Sequence, residues 1–266
     1  MPKAEALRRE EHAEDRQFVT ALARGLDILR CFDRPGVELS VSDIARRVGL
    51  SQPTAWRLCH TLAGCGYLIR SSGSLLRVGA PVLALGYAAL QGMSLPALAL
   101  PYMREITART RATTTLSLHE DVEMISVECC LGEFVLPNQT VGWRRPLTAV
   151  PSGLAALAAM PASERQELLA RIRDMDPKAW ARRAKRVERA CADYVRDGFV
   201  IRDDMVDGQY AAVAVPILGE QDGTRVWALS CGGLASRWNR KGLREVGAGL
   251  RRVRELLEPA LPTLAA

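Results

Sequence analysis

Residues 39–78 read LSVSDIARRVGLSQPTAWRLCHTLAGCGYLIRSSGSLLRV, and this stretch decides the architecture of the N-terminal third. Ser40 followed by Asp43 is a capping-box-like helix start with a shortened acid. Ile44, Ala45 and Val48 then form one apolar stripe of a short helix. Gly49 stands where the chain must turn sharply, and Leu50 suits the corner between two helices. Ser51 is a good N-cap, and Pro53 in the first turn gives up an N–H that has no helical acceptor. Ala55, Leu58, Cys59 and Leu62 make the inward stripe of a second helix, leaving Gln52, Thr54, Trp56, Arg57, His60 and Thr61 for its other faces. Two short helices joined by a Gly turn are the helix-turn-helix pattern, whose second helix enters the major groove of DNA.

The residues after this helix pair extend the pattern. Gly66-Tyr67-Leu68-Ile69-Arg70, Ser71-Ser72-Gly73-Ser74 and Leu75-Leu76-Arg77-Val78 read as strand, turn and strand, a wing suited to the phosphate backbone. No acid lies between Asp43 and Glu105, whereas Arg46, Arg47, Arg57, Arg70, Arg77 and Arg104 all fall in that interval. Uncompensated cations on a small domain are what phosphate binding by counterion release requires. A Gly turn alone also suits an ordinary core; the cap, stripe, hairpin and acid-free interval together point to DNA. Arg57 and Gln52 are the candidates for base edges. Ser51 at the helix start, with Thr54, Trp56 and His60, suits backbone or groove-wall contacts, and Arg70 and Arg77 suit wing phosphates. Upstream, Phe18, Leu22, Gly25, Leu26, Leu29 and Phe32 recur at helical spacing and predict a first helix, with Arg24 as a further phosphate contact.

The whole chain is consistent with this. It has 266 residues, 48% hydrophobic and 25% charged, with a formal net charge of +6. That length suits one large or two ordinary globular domains. The start is charged throughout and resembles no signal peptide, and the apolar run over 82–100 is interrupted by Gly86, Gln91, Gly92, Ser94 and Pro96. The expected location is the cytoplasm. Seven cysteines without CxxC spacing and only three histidines offer no metal constellation and suit a reducing compartment. A redox role would need a charge partner for a thiol, and none is evident.

The expected organisation is a mobile leader at 1–16, a winged helix-turn-helix domain at 17–79, a linker helix at 80–92 and a larger domain at 93–266. The linker helix is apolar on nearly every face and so needs burial, which a partner subunit would give. Beyond residue 110 the period changes. Strand-like runs at 113–118, 124–130 and 134–136, a hairpin turning at Glu220-Gln221-Asp222-Gly223, and intervening helices predict an α+β domain with a mainly antiparallel sheet. Ser163 with Gln166 suggests a capping box, and the basic helix at 178–197 ends at Gly198.

The order Ile44-Ala45, Gly49-Leu50-Ser51, Thr54-Ala55-Trp56-Arg57-Leu58, Leu62 and Gly66-Tyr67-Leu68 resembles the DNA-binding half of IclR-type bacterial transcription regulators. Pro146-Leu147 through Ser152-Gly153-Leu154-Ala155, Arg196-Asp197-Gly198-Phe199, Asp204-Met205-Val206-Asp207-Gly208 and Ala214-Val215-Pro216-Ile217 resemble the later family signatures in the same order. The resemblance spans roughly 18 to 258. It implies a GAF-like effector-binding domain, assembly into homodimers or homotetramers, a double-stranded DNA operator as partner, and a small organic acid or aromatic catabolite as effector. The effector would lie between the sheet and the segments at 151–155, 204–208 and 230–233. Departures from the family pattern fall there: Leu154 replaces a small basic residue, Asp204 a Glu, and Ser230-Cys231-Gly232-Gly233 the usual Ser-x-Ser-Gly.

A small acid needs a few fixed donors in an apolar cavity. The helix start at Ser152 and Gly153 favours an anion. Ser230 and the N–H groups near Gly232 are further donors, and Met124, Cys129 and Trp143 are candidates for the wall. Arg202 or His119 could pair a carboxylate, although surface ion pairs are the commoner fate of an arginine. No cofactor is expected. Asp203-Asp204-Met205-Val206-Asp207 spells a DDxxD magnesium–diphosphate spacing, but the β-rich run after Gly208 disfavours the helix it needs. Ser152 lacks the G-x-S-x-G context of a nucleophile. Two rivals remain: a small-molecule enzyme whose basic domain serves assembly, and a DNA-binding protein with a vestigial pocket.

Overall fold

The computed structural model describes residues 15–137, 139–218 and 226–261. The chain divides into two compact units, Met1–Gly92 and Met93–Ala266.

In the first unit, α1 (Thr20–Arg30), α2 (Val41–Val48) and α3 (Gln52–Gly64) close over a core of Ile28, Leu39, Ile44, Val48, Cys59, Leu68 and Leu76. α2 begins at Ser40, whose hydroxyl accepts the Asp43 N–H at 3.1 Å and donates to the Asp43 carboxylate at 2.7 Å. It ends because Gly49 adopts a φ of +66°, which lets the N–H groups of Gly49 and Leu50 both return to the Ala45 carbonyl. β1 (Leu68–Arg70) and β2 (Leu76–Val78) pair antiparallel as the wing, and Leu39 bridges Leu76 as a third member. α4 (Pro81–Gln91) follows and buries none of its residues.

Two local expectations change here. Ser51 precedes α3 in extended conformation, but its hydroxyl pairs with that of Thr54 at 2.8 Å and caps no N–H. The α1 stripe through Leu22 and Leu26 does not face the core: the two are 64% and 47% exposed. The helix is turned by Ile28, which is fully buried, and this leaves the Leu22 and Leu26 side without cover within its own unit.

The second unit begins with α5 (Leu95–Thr110) and then builds a sheet. Its strands are β3 (Thr113–Glu120), β4 (Glu123–Cys130), β5 (Arg144–Pro146), β6 (Val200–Met205), β7 (Tyr210–Leu218) and β8 (Val226–Leu234). They run in the order β5-β4-β3-β8-β7-β6 with every pairing antiparallel. Between β5 and β6 lie a 3-10 turn (Leu147–Ala149), α6 (Pro151–Ala159), α7 (Ala162–Met175) and α8 (Pro177–Asp197); α9 (Arg240–Leu257) follows β8. α5 lies against β3 and β4 and α9 against β7, while α6 packs on β7 and β8 with α8 behind it. β3 and β7 are therefore buried along nearly their whole length. β7 and β8 form the expected hairpin in register from Tyr210↔Leu234 to Leu218↔Val226. Its turn, like most of the leader, lies outside the described residues.

The α+β architecture and the antiparallel sheet agree with the expectation; two details do not. Phe134 makes only an isolated parallel bridge to Ala112, so 134–136 is no strand. α7 opens directly after Pro161, which places Ser163 inside the helix instead of at a cap. α8 is capped by Asp176, whose carboxylate accepts the Ala179 N–H at 3.0 Å, and Gly198 closes it at a φ of +76°. Asp203 and Asp204 lie in β6 and not on a helix.

α6 is seated by a close approach. A Cβ on Gly153 would stand 2.2 Å from the Leu147 carbonyl oxygen, so only glycine lets the first turn of α6 cross the 3-10 turn. Gly153→Ala is expected to lower stability by about 1–3 kcal/mol, the usual cost of overpacking against backbone. Denaturant midpoints of the full chain and the variant measure it.

Candidate functional site

The first candidate surface is α3 with its wing. Ala55 and Cys59 are buried, so the opposite arc carries Ser51, Gln52, Trp56, Arg57 and His60, all exposed, with Thr54 half-buried. Gln52, Trp56 and His60 recur every four residues and form one flank. The rings of Trp56 and His60 stack at 5.1 Å, and the Gln52 amide donates to Ser42 on α2 at 3.1 Å. These three share a groove with Arg70 and Ser74 of the wing. Ser51, Thr54, Arg57 and Arg77 lie outside that groove, Arg77 by strand alternation. Arg24 lies on α1, half-buried, with its Nε buried and unpartnered.

The acid-free interval is only partly uncompensated. Arg46 pairs with Asp43, and Arg47 with Asp33 at 3.9 Å. Arg57, Arg70 and Arg77 have no acidic partner among the described residues, and all three are exposed. The recognition helix and wing thus keep their charge for an outside anion.

The second candidate is a small cavity of about 50 Å³ between the sheet and the start of α6, partly open at its mouth. Its floor comes from alternate residues of buried strands: Thr115 and Ser117 of β3, Met124 and Ser126 of β4, Ser230 and Gly232 of β8. Tyr210 lies across Gly232, where a Cβ would meet its hydroxyl oxygen at 2.5 Å. Gln139, from the segment between β4 and β5, donates to Thr115 Oγ1 at 3.3 Å and accepts the Leu136 N–H at 3.2 Å, with the Tyr210 hydroxyl close to its amide. Burial pushes the Tyr210 phenol well above its usual range, so it stays protonated. Trp143 and Arg145 complete the rim, the guanidinium 4.9 Å from the indole centroid.

Of the residues expected at an effector site, Met124, Trp143, Ser152 and Ser230 line this cavity. Five do not. Cys231 follows Ser230 in β8, so the pleat turns it to the α5 face, where its thiol lies 3.6 Å from the Thr110 hydroxyl. Gly153 is pressed on Leu147, and Leu154, 1% exposed, points into the core. Asp204 is half exposed and held by Arg202 and Arg186, both at 2.9 Å. Cys129 is not part of the lining, its thiol lying 3.6 Å from Thr115 Oγ1. Neither proposed carboxylate partner reaches in either: Arg202 is spent on Asp204 and the Ala149 carbonyl, and His119 Nε2 on the Asp121 carbonyl. Arg145, Tyr210, Gln139, Thr115, Ser117 and Ser126 were missed. The polar alternation Thr115, Ser117 in an otherwise buried strand was a readable signal; nothing local separates Arg145 from Arg144.

Family models for the IclR helix-turn-helix domain and the bacterial transcriptional regulator IclR C-terminal domain match residues 21–71 and 87–256. The chain belongs to the IclR family of bacterial transcription regulators. It is 30% identical over 203 residues to the HTH-type transcriptional regulator TsaQ1/TsaQ2 of Comamonas testosteroni, covering 74% of this chain and 72% of that one. A crystal structure of an IclR family regulator from Brucella abortus superposes with a TM-score of 0.84 at 33% identity, covering 94% and 96% of the two chains. An IclR homologue from Microbacterium hydrocarbonoxydans, solved in complex with 4-hydroxybenzoate, superposes at 0.65 with 26% identity, covering 89% and 99%. As an IclR-type regulator the protein binds DNA through its N-terminal domain and responds to an effector. No single described helix is long and apolar enough to cross a membrane.

The α2 cap that presents this DNA face has a pH signature. The hydrogen bond from the Ser40 hydroxyl, helped by the Ser40 N–H and the Arg46 charge, holds the Asp43 carboxyl below its usual range. Such a group stabilises the fold above its unfolded pKa and loses that contribution as pH falls through the lowered folded value. Asp43→Asn should therefore destabilise the protein at neutral pH, and the difference from wild type should vanish below the ordinary carboxylate range. Ser40→Ala should cost about 1 kcal/mol; thermal melts across pH test both.

Proposed function

We propose that this IclR-type regulator acts as a homodimer or higher homo-oligomer on a partly palindromic operator in the cytoplasm, without catalysis. Residues 17–79 serve as the DNA-binding domain, 80–92 as the linker helix and 93–266 as the effector domain. α3 lies in the major groove with Arg57 and Gln52 at base edges. Ser51, Thr54, Trp56 and His60 line the approach, Arg70 and Arg77 meet wing phosphates, and Arg24 meets flanking backbone. The observation that carries this reading is the set of exposed, acid-free arginines on α3 and the wing. The effector is a small organic acid or aromatic catabolite held in the cavity under α6, which suits the 4-hydroxybenzoate complex of the Microbacterium homologue. It changes operator affinity to the extent that it binds the DNA-competent and incompetent states unequally.

Two exposed apolar faces support the oligomer. Val19, just before α1, and Leu22 and Leu26 within it are 47–64% exposed, and Leu83, Leu85 and Tyr87 of α4 are 57–75% exposed. Such rows on one small domain call for cover, and a second copy supplies it. Leu83→Glu is expected to shift the protein towards monomer in sedimentation velocity and to weaken operator binding.

Footprinting should show a discrete protected site that ligand alters; a uniform, unaltered pattern would sink the proposal. Arg57→Ala should cost about 1–3 kcal/mol and relax discrimination at one base pair per half-site. Arg70→Ala and Arg77→Ala should weaken binding evenly across sequences and each lower the salt slope by about 1 per protomer.

A further inference from the structure

We propose that Arg145 is the residue that selects effectors by charge: the cavity takes a monocyclic aromatic acid whose carboxylate meets the Arg145 guanidinium and whose far end meets the neutral polar group of Tyr210, Gln139 and Thr115. This rests on the reading of the cavity as the effector site.

Arg145 is the sole charged residue lining the cavity, and no carboxylate lines it among the described residues. Its neighbour Arg144 shows what an ordinary arginine does here: the Nε of Arg144 donates to Glu123 at 2.8 Å. Arg145, turned to the opposite side of the same short strand, has no acidic partner among the described residues, and its Nε is buried with no hydrogen-bond acceptor. An unmatched buried donor on a cation is costly unless something arrives to match it. The surroundings add positive potential instead of cancelling it. Arg183 and Arg202 both act on Arg145, and Asp204, the acid paired with Arg202, is also held by Arg186. Burial first, then these two cations, make the charged form of Arg145 harder to hold, which a bound anion would reverse. The α6 N-terminus at Ser152 contributes the same sign.

Geometry narrows the ligand further. The Trp143 ring against the guanidinium restrains its plane, and a planar fork of donors suits a carboxylate held by two bonds. Met124, Leu136, Val150 and Met205 add apolar wall to the cavity, which suits the faces of a ring. At the other end Tyr210, Gln139 and Thr115 offer donors and acceptors but no charge, so a second carboxylate would find no partner there.

The test uses the full-length protein and matched pairs that differ only in charge: benzoate and benzamide, 4-hydroxybenzoate and 4-hydroxybenzamide, phenylacetate and phenylacetamide. Thermal shift and titration calorimetry should show at least one acid binding while its amide does not. Arg145→Gln should weaken that acid about 10- to 100-fold, the loss expected for a charge-assisted pair. Arg183→Gln, which removes a nearby charge without a contact, should weaken it much less. Equal binding of acid and amide, undiminished acid binding by Arg145→Gln, or failure of every acid to bind overturns the inference. The acid–amide comparison on the wild-type chain needs no variant, so misfolding of Arg145→Gln leaves the test intact. Ligand-free operator footprints test the regulator reading separately: a discrete footprint with no charge preference among ligands would refute the Arg145 assignment alone.

Discussion

The pleat of a sheet buried on both faces governs the effector domain. With α5 and α9 on one side and α6 on the other, every residue of β3 and β8 must suit one of two interiors, and a step of one residue changes which. Thr114, Leu116 and Cys231 go to the α5 side, where Thr114 accepts a hydrogen bond from Thr107 at 2.9 Å. Thr115, Ser117, Ser230 and Gly232 go to the α6 side and make the cavity floor. The hydroxyls there have partners within the fold: Ser230 donates to the Thr115 backbone carbonyl at 3.3 Å, and Thr115 Oγ1 accepts from the Gln139 amide. A polar seam inside a buried sheet is tolerable only when so paired. That seam gives a ligand directional partners without leaving the empty domain with many orphaned groups.

Against this neutral seam, Arg145 is the exception. Its charge sits at the rim beside Trp143, close to two further arginines and short of acids. Consistency across local rules is the norm for a foldable sequence, and departures from it tend to mark functional places. The same logic holds on the DNA-binding unit. Arg46 and Arg47 find acids within the fold and serve the fold, whereas Arg57, Arg70 and Arg77 find none among the described residues and remain available to phosphate and base.

Much of the DNA-binding unit was legible because its signals are local. A cap is two side chains three residues apart, a Gly turn is one backbone conformation, and an inward stripe is a period of 3.6. Ser40 with Asp43, Gly49, and Ala55 with Cys59 all appear in the structure as those rules require. The failures were also instructive. Ser51 had the right residue type for a cap, but Thr54 offered its hydroxyl a nearer partner. Leu22 and Leu26 had the right spacing for a core, but a stripe says only that a face needs cover, and a second subunit can give it as well as the chain itself.

For the second unit, composition and order along the chain were enough to place an α+β domain with an antiparallel sheet, and Ser152 and Ser230, two of the residues expected at an effector site, line its cavity. They could not say which member of Ser230-Cys231 faces the ligand space, because that depends on the register of β8 against β3. Nor could they separate Arg144 from Arg145: one has Glu123 across the strand pair, the other has a tryptophan face and an empty side. The sequence alone determined a winged helix-turn-helix followed by an effector domain, since capping, turning and periodicity act between near neighbours. Tertiary structure alone decided which polar groups meet at the cavity and which charge is left unmatched, since burial and pairing are set by residues distant in the chain.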